Sequence, residues 1–233
     1  MKKSLFIGAL LALGMAATTS GASTLEEVKA RGTLNCGTST GVAGFSLPDA
    51  NNVYQGFDVA ICRGIAAAVL GDPMAVEFVP TTGKTRFTAL SSGEVDVLSR
   101  TTTWTFSRDV DLKMDFHGVN YYDGQGFMVP RSLGVTSAKD LDGATVCIQV
   151  GTTTELNLAD FFRVNGITYE PVPTEKSSES RSLYQAEACD VYTTDASGLA
   201  SARSTFADPS AHVILPEIVS KEPLGPVTRH GDN

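Results

Sequence analysis

The sequence predicts an α/β protein of two lobes, each a mainly parallel sheet flanked by helices. Strand and helix patterns alternate as β-α-β-α-β in the first half, and the same alternation returns in the second. Two segments between these units, the turn-rich 120–126 and the rigid, polar 221–225, suit crossings from one lobe to the other.

In the first unit, an amphipathic lead-in at 25–30 precedes a short strand at 33–37. Asp58 reads as the cap of a helix that sets Cys62, Ile65, Ala66 and Val69 on one face. Gly71 and Pro73 stop that helix. Residues 75–79 alternate as a strand, 85–91 form a short helix closed by Gly93, and 95–98 give a third strand. The second unit opens with a strand at 127–129, a short helix at 138–141 and a strand at 145–149. Its next helix starts with Thr152 and Glu155 at the spacing of a capping box and ends at Gly166. A strand at 168–171, a helix around 178–188 and strands at 190–193 and 213–215 complete it. With two crossings, the first lobe recovers its last strand from 224–229. The expected organisation is a leader at 1–22, a first lobe of 23–125 with 224–233, and a second lobe of 126–223.

The chain has 233 residues, 42% of them hydrophobic, with 11 Phe and 6 Tyr, enough to build buried cores, which excludes disorder as the general state. Residues 1–22 carry two lysines, an apolar run and small residues ending at Ala22, the pattern of a cleavable secretory leader, so export to the periplasm is expected. The apolar run is too short to span a membrane. Removing the leader takes Lys2 and Lys3 and no acid, so the net charge goes from −8 to −10, which argues against nucleic acid and anionic membrane surfaces as partners. Cys36, Cys62, Cys147 and Cys189 allow three pairings in an exported chain, and the sequence does not choose among them. There is no CxxC motif and His117, His212 and His230 are far apart, so no structural zinc is expected, and no cofactor.

Ligands of parallel α/β sheets bind beyond the carboxyl ends of the strands, which singles out three loops. The run 99–108 is dense in hydroxyls and holds two guanidiniums. Arg108 suits a carboxylate held by two parallel hydrogen bonds, with Thr101 and Thr103 adding contacts; a solvated loop with a surface ion pair is the simpler alternative. Gly151, Thr152 and Thr153 start a helix whose free N–H groups and dipole favour an anion, although the capping box alone explains the motif. Asp195 follows a strand where it can accept from an ammonium group, or merely cap the next helix. Together these groups complement an α-amino acid zwitterion. Trp104 and Phe45 are candidate apolar walls, though aromatics beside strands are more often core.

The stretches Asn35-Cys36-Gly37, Gly56-Phe57-Asp58-Val59, Arg86-Phe87-Thr88-Ala89-Leu90, Gly93-Glu94-Val95-Asp96-Val97-Leu98-Ser99-Arg100, Tyr121-Tyr122-Asp123-Gly124-Gln125-Gly126, Gly151-Thr152-Thr153-Thr154-Glu155, Asp190-Val191-Tyr192-Thr193-Thr194-Asp195 and Ser220-Lys221-Glu222-Pro223-Leu224-Gly225-Pro226 jointly carry a resemblance. The chain resembles the polar amino acid ABC-transporter solute-binding proteins, in particular the general L-amino-acid-binding periplasmic subfamily. The resemblance implies a type II periplasmic-binding-protein fold that closes on an L-amino acid, with carboxylate binding by Arg108, Thr103 and Thr153, and amine binding by Asp195. It also implies disulfides Cys36–Cys62 and Cys147–Cys189, and a membrane permease as partner for a monomeric receptor. Small residues Gly41, Ala43 and Gly44 suggest broad specificity. Full members continue past Asn233, so the first lobe is expected to lack a closing helix.

No catalytic residue is expected. The competing readings are an enzyme on the same fold, such as a dehydratase of prephenate-like acids, for which Glu155, Asp123 and Asp195 are the available carboxylates, and a sensory amino-acid-binding module.

Overall fold

The computed structural model describes residues 23–232; residues 1–22, where a leader is expected, and Asn233 lie outside the described residues. Ser23 caps α1 (Thr24–Arg31) by accepting from the Glu26 N–H, and Gly32 ends it in the left-handed conformation. Strand β1 (Leu34–Ser39) follows, then a small hairpin of β2 (Leu47–Pro48) and β3 (Tyr54–Gln55). Helix α2 (Phe57–Leu70) starts after Gly56, so Asp58 is not its cap as expected. The Asp58 side chain is buried and turns inward, where its carboxylate accepts from the Thr101 N–H at 3.1 Å. Strand β4 (Val76–Thr81), helix α3 (Arg86–Ser91) and strand β5 (Val97–Leu98) complete the first β-α-β-α-β unit.

Strand β6 (Met114–Phe116), reached through the short helix Ser107–Asp111, had no local signature in the sequence. The segment read as a turn-rich crossing holds β7 (Tyr121–Asp123), and β8 (Gln125–Pro130) enters the second sheet directly after it. Strand β9 (Ala144–Gln149), helix α4 (Thr153–Asn165), strand β10 (Tyr169–Thr174), helix α5 (Ser177–Gln185), strand β11 (Val191–Asp195), helix α6 (Ala196–Ser204) and strand β12 (His212–Ile214) follow in the order the patterning implied. The second crossing is β13 (Glu222–Leu224), which pairs antiparallel with β7, so the two crossings form a two-stranded ribbon. Strand β14 (Val227–Arg229) then returns to the first sheet.

The sheets have the orders β4-β1-β5-β14-β6 and β10-β9-β11-β8-β12. In each, one strand runs against the rest: β14 between β5 and β6, and β8 between β11 and β12. Both are the strands that come straight from a crossing, so the chain enters each sheet from the cleft side while its other strands run toward the cleft.

Side chains alternate across both sheets with the two-residue period of a strand. Phe127, Val129, Val146 and Ile148 pack with Leu158 and Phe162 on one face of the second sheet, while Met128 and Cys147 pack with Tyr184, Tyr192 and Leu199 on the other. In the first sheet Leu98 and Val227 meet Leu90 and Phe116, and Cys36 and Val97 meet Val28 and Ala66. Of the three possible pairings, the disulfides are Cys36–Cys62 and Cys147–Cys189, with Cα–Cα distances of 6.3 and 5.7 Å. The first ties β1 to α2, and the second ties β9 to the turn between α5 and β11. Among the described residues no helix is long and apolar enough to cross a membrane.

Candidate functional site

The loops beyond β5, β9 and β11 converge between the sheets on a polar cavity of about 40 Å³. Thr101, Thr103, Thr152, Thr153 and Asp195 line it, so five of the nine binding residues expected from the sequence come together there. Gly151 borders it: its carbonyl accepts from Arg86 Nη2 of the opposite lobe at 3.3 Å. Arg108, Trp104 and Phe45 are not among the lining residues. The Arg108 guanidinium lies behind Thr103, where Nη1 donates to the Thr103 carbonyl at 2.7 Å and the group stands 5.3 Å over the Phe87 ring. Trp104 stacks on Phe116, with ring centroids 5.4 Å apart, and its indole N–H donates to Asp109. Phe45 packs edge-on to Phe57 and Tyr121.

The cavity gains two cations that were not assigned from the sequence as ligands. Arg86 on the first turn of α3 and Arg100 just after β5 both line it and are almost fully buried. Arg86 Nε and Arg100 Nε and Nη1 have no hydrogen-bond partner among the described residues. Burial lowers the pKa of both guanidiniums; Arg100 falls to about 10, with Asp58 opposing the drop and Arg108 adding to it. The signal for Arg100 was its place straight after a buried strand. Arg86 had no such signal, standing at the first position of the short helix Arg86–Ser91.

Asp195 stands at the N-cap position of α6, yet its side chain makes no capping bond. Asp123 of the crossing ribbon does that work, accepting from the Ser197 N–H at 3.3 Å and from the Ser197 hydroxyl. The Asp195 carboxylate is thereby left to face the cavity. Burial first, then the carboxylates of Glu222 and Asp123, push its pKa up to about 8 against the pull of Arg86 and Arg108.

At the start of α4, Thr152 accepts from the Glu155 N–H at 3.1 Å as the capping box requires. The return half differs: the Glu155 carboxylate takes the N–H of Gly151 at 2.8 Å, one residue earlier than in a standard box. Thr101, across the cavity, holds a left-handed backbone at φ 50°, a costly conformation for a β-branched residue. Asp58 pins its N–H, and the same loop is stitched to the second crossing by Trp104 N–H to Pro223 O at 2.8 Å and Gly225 N–H to Thr102 O at 3.0 Å. A larger hollow of about 910 Å³ opens beside Tyr184 and His212, but no buried arginine lines it.

Two α/β sheets joined by a ribbon, with buried cations, a helix N-terminus and a carboxylate facing one another where the strand ends meet, define a two-lobed solute-binding protein of the type II periplasmic-binding fold. The chain belongs to the bacterial extracellular solute-binding proteins, family 3, whose model matches residues 34–219. It is 64% identical over 233 residues to the glutamate/glutamine/aspartate/asparagine-binding protein BztA of Rhodobacter capsulatus, covering 100% of this chain and 69% of that one. It is 56% identical to the general L-amino acid-binding periplasmic protein AapJ of Rhizobium johnstonii, covering 97% and 65%. Among solved structures, an ABC transporter periplasmic binding protein from Brucella ovis with glutathione bound superposes with a TM-score of 0.87 at 54% identity, covering 91% of this chain and 67% of that one. The chain thus spans about two thirds of the length of these relatives.

Proposed function

We propose that this protein is the periplasmic receptor of an ABC importer and captures L-amino acids, with broad specificity, in the cavity between its lobes. The observation that carries the reading is the meeting of buried, unpartnered guanidinium nitrogens with an uncommitted carboxylate at one cavity. Such a site is costly unless a ligand of matching charges completes it. An α-amino acid does so: its carboxylate faces the guanidiniums and the N–H groups at the start of α4, and its ammonium faces Asp195. The Arg108 guanidinium, behind Thr103, makes one hydrogen bond among the described residues, through Nη1 to the Thr103 carbonyl, and its charge supports the carboxylate end of the cavity from there. The relatives named for amino-acid binding support the same reading.

The rest of the proposal follows from it. Residues 1–22 direct export and are removed, 23–125 with 224–233 form one lobe and 126–223 the other, and a monomer delivers its ligand to a membrane permease. Catalysis is not part of this role, since Asp123 and Glu155 are committed to helix starts. One observation favours a dehydratase-like second reading: an Asp195 carboxyl held near pH 8 suits a general acid.

Thermal unfolding of the mature, oxidised protein against the twenty L-amino acids tests both, because a ligand that binds only the folded state raises the midpoint. Rises with several amino acids support the receptor. No rise, together with turnover of a prephenate-like acid, supports the enzyme.

A further inference from the structure

The second crossing carries a side chain that the proposed ligand contacts leave unused. Glu222, on β13, is 1% exposed. Three donors converge on its carboxylate: the Thr153 hydroxyl at 2.8 Å, the Asn157 amide at 2.8 Å and the Ser220 hydroxyl at 2.6 Å. It forms no ion pair among the described residues. Thr153 and Asn157 lie one turn apart on α4, so Glu222 grips the face of the helix that starts at the cavity.

A hydroxyl has one proton to give. Thr153 donates it to Glu222, so it meets the Thr103 hydroxyl, 3.4 Å away across the cleft, as an acceptor. The polar chain therefore has one direction, from Thr103 to Thr153 to Glu222. It joins the loop after β5, the start of α4 and the crossing ribbon. The same strand holds that loop by main chain, through the Trp104 to Pro223 and Gly225 to Thr102 bonds. The Glu222 charge favours the cationic form of Arg108 and opposes ionisation of Asp195, while its three hydrogen bonds fix α4 against the crossing ribbon.

The geometry points to Glu222 as a positioning residue that registers the two halves of the binding site against the crossing ribbon, so that a ligand carboxylate meets the Thr103 loop and the start of α4 together. This rests on the amino-acid-receptor reading. Glu222 touches no ligand; it acts by setting which way the Thr153 hydroxyl points and where α4 begins.

The test is a double-mutant cycle on the mature protein, with L-glutamate and L-alanine as probes and affinity and dissociation rate as readouts. Glu222→Gln, which introduces a donor where three donors already converge, lowers affinity at least tenfold through faster dissociation. Thr103→Val lowers it as well, and the double variant is no weaker than the worse single variant, because both break the same chain. A residue that merely supports the fold would give losses that multiply. If Glu222→Gln does not fold, Asn157→Ala and Ser220→Ala, which each remove one donor and leave the carboxylate, must show smaller losses in the same direction, again coupled to Thr103. Affinity within twofold of the parent, or independent losses, overturns the inference while leaving the receptor reading intact. Failure of the parent to bind any of the twenty amino acids overturns both.

Discussion

Gly83 of the first lobe and Gly151 of the second meet back to back across the cleft. A Cβ on Gly83 would stand 2.5 Å from the Val150 carbonyl oxygen, and one on Gly151 would stand 2.9 Å from the Gly83 carbonyl carbon. Gly151 also needs its left-handed backbone, whereas Gly83 does not. Gly83→Ala is therefore strained only where the lobes touch. The expected result is an amino-acid affinity lowered at least tenfold, read by calorimetric titration.

Asp195 gives a pH prediction. Its carboxyl is raised to about 8, so in the ligand-free protein ionisation costs stability as pH climbs from the ordinary Asp value through 8. A bound ammonium requires the ionised form. Below pH 8, binding therefore releases a proton and affinity rises with pH by up to about tenfold per unit, levelling above 8. Titrations at pH 6, 7 and 8 in buffers of different ionisation enthalpy check this; a flat profile sinks the assignment. At pH 7, Asp195→Asn raises the unliganded midpoint and abolishes the ligand-induced rise.

Arg86 and Arg100 bring more positive charge to the cavity than one α-carboxylate can use. A ligand with a second carboxylate gains an extra charged hydrogen bond, about 1.5 to 3 kcal/mol. L-glutamate should therefore bind at least about tenfold more tightly than L-norvaline, which matches its backbone without the side-chain acid. Arg86→Gln should narrow that gap, and equal affinities for the two in the parent would remove Arg86 and Arg100 from side-chain recognition.

The disulfide Cys147–Cys189 closes a segment with a sequence separation of 42. The chain-entropy relation assigns it about 4 kcal/mol. Replacing both cysteines with serine should lower the melting midpoint by roughly 10 °C, and the loss should be confined to stability, since neither cysteine lines the cavity.

The loops that line the cavity were legible because their signal is local. Thr101, Thr103, Thr152, Thr153 and Asp195 each follow a strand that patterning alone could place, and the rule that ligands sit beyond strand ends did the rest. Arg86 and Glu222 were not legible, since Arg86 at the cavity and Glu222 behind Thr153 take their places through contacts distant in sequence. Arg86 reads as the polar start of a short helix until the Gly151 carbonyl arrives from the other lobe. Glu222 lies in a segment that reads only as a rigid, polar crossing until β7 pairs with it and α4 closes over it. Asp58 shows the same limit from the other side. Its spacing suited a cap, but tertiary burial gave its carboxylate to Thr101 instead.

The insertion of β14 between β5 and β6 bears on the order in which the chain matures. Strand β6 joins the first sheet only through β14, so that sheet stays in two unconnected pieces until residues 227–229 have been synthesised. The second sheet draws on one continuous stretch, from β8 to β12, and can assemble without waiting. Pairings so distant along the chain are slow to form. The first lobe therefore has no continuous sheet until residues 227–229 pair with both β5 and β6, whereas the second sheet needs no strand from outside its own stretch.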